Sequence, residues 1–287
     1  MADSLKDNHN NQKKVAAIND LSGFGRCSMT VLLPVISHMK VQCCPVITSV
    51  FSNHSGYDDY FFDDYTDKIE PYTEQWKKLG LEFEGIYTGF LGSVKQIDIV
   101  CKFIDDFRTQ RTIVIVDPVM GDNGKTYSTY TDEMCLELKR LVGKANLVTP
   151  NVTEACILTG APYHESGFKQ TQLLAMAEQI ADMGPSKVVI TGVRSGKSYV
   201  SNFIYERTDD GAARYKLIRS KIVGTTRCGT GDIFASILCA DAVNGVDLET
   251  SVRKASAFIR KCIAKSMELG IPETDGVCFE EVIHELK

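Results

Sequence analysis

Residues 227–234 read Arg227-Cys228-Gly229-Thr230-Gly231-Asp232-Ile233-Phe234, a Gly-x-Gly turn running straight into an apolar, helix-forming stretch. Glycine lets a backbone approach a phosphate closely, and the free amides and dipole at a helix start make an anion hole. A carboxylate in that first turn can take the proton of an attacking hydroxyl. Asp232 is therefore a candidate general base beside a phosphate cradle made by Gly229, Thr230 and Gly231. The same residues also suit a plain helix start in which Asp232 only caps the first turn. A second group, Asp117-Pro118-Val119-Met120-Gly121-Asp122-Asn123-Gly124-Lys125, places two carboxylates in a Gly-containing loop after the apolar run Ile113-Val114-Ile115-Val116. That suits Mg2+, which takes few protein carboxylates and fills its shell with water and phosphate oxygens, although a surface turn has the same composition. A third, Thr149-Pro150-Asn151-Val152-Thr153-Glu154, sets Asn151 and Glu154 three apart on one helix face, again open to a purely capping role.

The front of the chain offers hydrogen-bonding groups among rings. Asp20 follows the first apolar run, Ser52-Asn53-His54-Ser55-Gly56-Tyr57 follows the second beside Phe51, Phe61 and Phe62, and Thr88-Gly89-Phe90-Leu91-Gly92 follows the third. Groups that both donate and accept, with rings for stacking, suit a flat nitrogen heterocycle bearing hydroxyls. His54 alone also fits a loop histidine that satisfies backbone carbonyls. Two tempting motifs fail on context. Gly192-Val193-Arg194-Ser195-Gly196-Lys197-Ser198 resembles a P-loop, but Thr191 stands where the first glycine belongs and a β-rich run follows, so a hairpin turn is expected. Gly23-Phe24-Gly25-Arg26-Cys27-Ser28 lacks the third glycine of a dinucleotide fingerprint, and no acidic residue closes the second strand at Val50.

These residues need a scaffold that gathers loop ends, and the chain supplies one. Residues 14–19, a helix over 26–39 and residues 41–50 make a β-α-β opening. Further strands are expected at 85–91, 111–117, 145–149 and 187–191, with helices at 94–108, 132–142 and 172–183. Strands that read as continuous apolar runs are buried on both faces, so the sheet is mostly parallel with helices on either side. Residues 198–206 and 214–223, separated by Thr208-Asp209-Asp210-Gly211, form an added antiparallel hairpin. Helices at 232–244, 248–267 and 279–286 complete an α/β three-layer sandwich, residues 14–287 as one domain after a disordered tail over 1–13. Ligands of such sheets bind beyond the carboxyl ends of the strands, where the groups named above would meet.

The 287 residues carry 32 basic and 37 acidic side chains, a net charge of −5 that gives no basic face for nucleic acid or an anionic membrane. A small-molecule substrate is expected. The ten cysteines lie scattered, without Cys-x-x-Cys or zinc spacing, and read as reduced core residues of a cytoplasmic protein; only Cys228 falls in a site loop. No run approaches the roughly 18 to 20 apolar residues that span a bilayer.

Taken in order, Asp20, Ser52-Asn53-His54-Ser55-Gly56-Tyr57, Thr88-Gly89-Phe90, Asp117-Pro118-Val119-Met120-Gly121-Asp122, Thr149-Pro150-Asn151-Val152-Thr153-Glu154, Thr191-Gly192 and Gly229-Thr230-Gly231-Asp232 resemble the ribokinase-like vitamin kinases over about residues 14–287. The pyridoxal kinase branch is the nearest match. The resemblance implies ATP-dependent phosphorylation of the 5′-hydroxymethyl group of a B6 vitamer, with Asp232 as base and the amides of Gly229, Thr230 and Gly231 on the transferred phosphoryl group. It further implies Asp117, Asn151 and Glu154 around Mg2+, and Asp122, Thr149, Thr191, Gly192 and Thr230 on ATP. Residues 121–127 would be a lid, and Asp20, His54, Ser55 and Phe90 would hold the pyridine ring. A homodimer and a response to K+ are expected on the same ground. Many pyridoxal kinases carry serine, threonine and tyrosine where Asp20, Ser55 and Phe90 stand here. Related hydroxymethylpyrimidine kinases share the Asp-Pro-Val-Met loop but usually end the anion-hole motif in cysteine, so Asp232 favours the pyridoxal side. A pyrimidine kinase is the alternative enzyme, and a non-catalytic nucleotide- or vitamer-binding regulator the alternative class.

Overall fold

The computed structural model describes residues 11–127, 129–165, 167–208 and 210–287; most of the expected tail, and Asp209 of the expected turn, lie outside them. Its centre is a nine-stranded sheet. In chain order the strands are β1 (Lys14–Phe24), β2 (Gln42–Asn53), β3 (Phe62–Asp64), β4 (Gly85–Thr88), β5 (Ile113–Val116), β8 (Leu147–Val148), β9 (Lys187–Ser195), β10 (Tyr199–Arg207) and β11 (Ala213–Lys221), with β6 (Gly121–Asp122) and β7 (Lys125–Thr126) forming a separate ribbon. The sheet order is β11-β10-β9-β8-β5-β4-β1-β2-β3. Pairings from β2 through β1, β4, β5 and β8 to β9 are parallel, while β3 and the β9-β10-β11 hairpins are antiparallel.

Alternation along the strands explains the layers. Ala16 and Ile18, Ile86, Val114 and Val116, and Val188 and Ile190 face one core; Val15 and Ala17, Tyr87, Ile115 and Val189 face another. Both sets are buried, so the central strands carry apolar side chains on both faces. The first core is covered by α2 (Thr66–Leu79), α3 (Val94–Phe107), α4 (Asp132–Val142), α5 (Val152–Thr159) and α6 (Gln170–Ala181). The second is covered by α1 (Met29–His38), α7 (Thr230–Asn244) and α8 (Leu248–Glu268).

Three differences from the sequence reading bear on the site. β1 does not stop before Asp20: it runs on to Phe24, because Leu21, Ser22 and Phe24 resume pairing with Val50, Phe51 and Asn53 after a bulge between Asn19 and Leu21. A bulge re-aims side chains locally, and Asp20 occupies it. The first helix begins at Met29 rather than residue 26, since Ser28 has φ 53 and cannot continue a helix backwards. The expected helix over 279–286 contracts to a 3-10 turn, Ile283–Glu285. The P-loop-like segment does turn β9 into the antiparallel β10, as expected.

Candidate active site

Helix α7 is preceded by its N-cap Gly229, whose φ of 83 only glycine adopts freely; a Cβ there would stand 1.9 Å from the Arg26 carbonyl oxygen. Thr230, Gly231 and Asp232 follow in its first turn with no side chain capping their amides, which leaves Thr230 and Gly231 as donors for an anion. The Gly229 N–H lies beside the Cys228 sulfur and helps lower its pKa. Asp232 is partly exposed. Burial raises its pKa to about 8, against a hydrogen bond from the Ser28 N–H, while Cys228, Asp117 and Asp20 push it further up. A carboxylate poised near neutrality suits a general base.

Around it the strand ends converge. Asn19, 1% exposed, accepts from the Asp20 and Phe90 backbone N–H groups at 3.0 and 2.8 Å and donates to Asp232 Oδ1 at 3.5 Å. Asp20 accepts from Ser22 Oγ at 3.1 Å and from the Ser28 hydroxyl, and burial raises its pKa. Ser28 thus lies beside both carboxylates and lowers the pKa of each. Phe90 presents a half-buried ring edge-on to Phe51 and Tyr130. The loop carrying it is fastened by Gln96, fully buried, which accepts from Gly92 N at 2.7 Å and donates to Thr48 O at 2.9 Å and Thr66 Oγ1 at 2.8 Å. His54 takes up the bland role in part: Nδ1 accepts from Gly56 N–H and Nε2 lies 2.7 Å from Thr274 O. It also bonds Cys228, which raises its pKa. Ser55 is exposed beside it. The Cys228 thiol is lowered to about 5 by hydrogen bonds from Cys27, then His54 and Gly229 N–H, in spite of its burial.

At the end of β5, Asp117 Oδ1 accepts from Thr149 Oγ1 at 3.2 Å and Oδ2 from Tyr87 Oη at 3.5 Å, and burial raises its pKa to about 7. Glu154 is 4% exposed and its pKa is raised, by burial first and then by Asp117. Asn151 and Glu154 form a reciprocal capping box at the start of α5. Their remaining contacts hold the ribbon: Glu154 Oε1 accepts from Met120 N at 3.1 Å and Asn151 Nδ2 donates to Gly121 O at 2.7 Å. The segment expected to be a lid is an Asn-Gly hairpin with Asn123 and Gly124 at φ 51 and 77. Gly121 is required there, since a Cβ would meet the Lys125 carbonyl oxygen at 2.2 Å. Thr191 N donates to Pro150 O at 2.9 Å, which sets the middle of β9 beside Asn151; the strand runs on past the expected end at 191 to Ser195. Gly192, with φ 73, and Asp122 are exposed, whereas Thr149 is buried. Sequence reasoning missed Asn19, Ser28, Tyr87, Cys27 and Gln96; only the position of Asn19, at the end of an apolar run, carried any signal.

A family model described as phosphomethylpyrimidine kinase matches residues 33–276. The chain belongs to this family. Among solved structures, a protein from Bacteroides thetaiotaomicron assigned as a phosphomethylpyrimidine kinase is 37% identical, with a TM-score of 0.91 in a crystal form with pyridoxal, covering 96% of each chain. The pyridoxal kinase of Leishmania donovani with ADP and pyridoxamine superposes with a TM-score of 0.87 at 20% identity, over 96% of this chain and 95% of that one. These neighbours show that the family member described here has the ribokinase-like α/β sandwich. Among curated relatives, the pyridoxal kinase of Sus scrofa is 32% identical over 66% of this chain and 62% of its own length. The hydroxymethylpyrimidine/phosphomethylpyrimidine kinase of Bacillus subtilis is 30% identical over 65% of this chain and 66% of its own. The chain thus spans a little under two thirds of the length of these two relatives.

Proposed function

We propose that this chain transfers the γ-phosphoryl group of ATP to the 5′-hydroxymethyl group of pyridoxal, pyridoxamine or pyridoxine. The observation that carries the reading is Asp232, a reachable carboxylate with a pKa raised to about 8, one residue beyond uncapped helix amides. In this reading Asp232 takes the hydroxyl proton as the substrate oxygen forms its bond to phosphorus and ADP leaves. The Thr230 and Gly231 amides, set by the Gly229 turn, stabilise charge developing on the phosphoryl oxygens. Asp20, His54, Ser55 and Phe90 hold the ring, while Asp122, Thr149, Thr191, Gly192 and Thr230 line the nucleotide side. The ribbon over residues 121–127 closes on ATP and keeps water from the phosphoryl group.

The residues present fit Mg2+. The Asp117 charge adds to burial in raising the pKa of Glu154, burial raises that of Asp117, and among the described residues neither they nor Asp20 and Asp232 form an ion pair with a cation. Asp117, the half-buried member, would hold the ion with buried Glu154 behind it, and Asn151, whose amide is spent on Glu154 and Gly121, would position Glu154 and the ribbon. The ion supplies charge neutralisation on the phosphates. Residues 14–287 as one kinase unit, a cytoplasmic homodimer and a K+ response belong to the same proposal.

The second reading, a hydroxymethylpyrimidine kinase, is favoured by the family match and the Bacillus relative. The Asp ending of the Gly-Thr-Gly-Asp motif and the likeness to the pyridoxal-containing structure support the first. ADP release from ATP and Mg2+ with pyridoxal, pyridoxamine, pyridoxine or hydroxymethylpyrimidine separates them. Vitamer-dependent ADP is expected; preference for the pyrimidine moves the assignment, and no acceptor-dependent ADP overturns both.

A further inference from the structure

Asn19 lies at the junction of the two halves of this site. It is the last residue of β1 before the bulge, 1% exposed, and all three of its polar contacts go to groups the proposed reaction uses. Its Oδ1 accepts two backbone N–H groups, from Asp20 at 3.0 Å and Phe90 at 2.8 Å. Two donors on one atom identify that atom as the oxygen, so the amide NH2 must be the group facing Asp232, 3.5 Å from Oδ1. The side chain cannot swing away, because the Gly89 Cα packs against it so closely that a Cβ there would lie 2.7 to 2.8 Å from its amide atoms. One rigid amide thus ties the loop that bears the ring-stacking Phe90 to the carboxylate that takes the proton, across 71 and 213 residues of sequence.

We infer that Asn19 is a positioning residue: it holds the Asp232 carboxylate toward the acceptor hydroxyl and fixes the Phe90 loop beside it. The inference rests on the proposed roles of Asp232 and Phe90, and adds a division of labour within one side chain. The amide oxygen serves substrate binding and the amide nitrogen serves turnover. Asn19→Asp separates the two, since it keeps an oxygen for Phe90 N and Asp20 N and replaces the donor to Asp232 by a second acid. Asn19→Ala removes both. Gly89→Ala reaches the same amide from outside, at a glycine whose φ is not in the left-handed region.

The test is steady-state kinetics with pyridoxal as the varied substrate, beside Asp232→Asn and with nucleotide binding measured to show that each variant is folded. Asn19→Asp is expected to lower kcat by about tenfold or more, the lower end for losing a hydrogen bond to a charged group, and to leave KM within about twofold. Asn19→Ala should lower kcat and raise KM together, and Gly89→Ala should move kcat in the same direction as Asn19→Asp. If Asp232→Asn is inactive while Asn19→Asp keeps full kcat, or if Asn19→Asp and Asn19→Ala change KM and kcat in the same proportion, the inference about Asn19 fails and the kinase reading stands. If Asp232→Asn itself retains normal turnover, the base assignment fails first.

Discussion

Replacing Asp232 by asparagine should cost activity and increase stability, and the two effects can be read independently. The folded-state pKa of Asp232 is about 8 against an ordinary 3.8, so the native protein holds this proton more tightly than the unfolded chain. Native stability is therefore undiminished by this group below about pH 4, declines as pH rises through the interval, and levels off above about pH 8. At about 1.4 kcal/mol per pH unit, the roughly four units between 3.8 and 8 set a ceiling near 5 kcal/mol at pH 8. Water reaches the carboxylate, and asparagine presents an NH2 where an oxygen stood, which together reduce the expected gain to about 1–2 kcal/mol, a few degrees in Tm for a chain of this size. Asp232→Asn should accordingly melt higher than the parent at pH 8 and alike at pH 4. Its kcat should fall by at least roughly 10²-fold, and the parent's kcat/KM should lose about tenfold per pH unit below pH 8. Differential scanning calorimetry across that range, with ADP release alongside, checks both. A variant that melts lower than the parent at pH 8 would refute the picture of a desolvated carboxylate, and one that turns over normally would refute its role as base.

Three further outcomes follow from named contacts. Gly229→Ala, which must move the Arg26 carbonyl from a 1.9 Å clash and hold a left-handed φ, should lose more than about 3 kcal/mol, seen as a drop in Tm or loss of folded protein. Iodoacetamide at pH 6.5 should label Cys228 first among the ten cysteines, because its thiol alone is lowered while the other nine are raised; peptide mapping that finds another cysteine labelled faster contradicts this. Gln96→Leu should raise KM for the vitamer by about tenfold with KM for ATP unchanged, since it frees Gly92 N and the Phe90 loop but touches nothing on the nucleotide side.

Much of the scaffold is legible locally. The run Ile113–Val116 is apolar at every position because it is covered on both faces, and the helix Asp132–Val142 is bounded as expected because Thr131 caps it and Gly143 ends it. The helix Thr66–Leu79 escapes such a reading, since Pro71 interrupts an otherwise polar stretch whose few buried residues are Thr66, Ile69 and Thr73. The site follows the same division. Glycines and carboxylates at strand ends announce themselves by type, and the structure brings Asp20, Phe90, Asp117, Glu154 and Asp232 to one end of the sheet. What organises them is non-local: Ser28 matters through an unusual φ, and Asn19 and Gln96 through partners in other strands and loops. An asparagine in an apolar run carries no mark of the contacts its amide will make.

The β9-β10-β11 hairpins leave β11 as one margin of the sheet and the three-residue β3 as the other. A free margin nine residues long is a template on which another molecule's strand can add, the first step toward precipitation. β11 carries Arg214, Lys216, Arg219 and Lys221, so a second copy aligning with it sets cation against cation along the new ladder. At the far margin, β3 is short and two of its three residues are Asp63 and Asp64. Strand addition between like margins is thereby discouraged at both sides of the sheet.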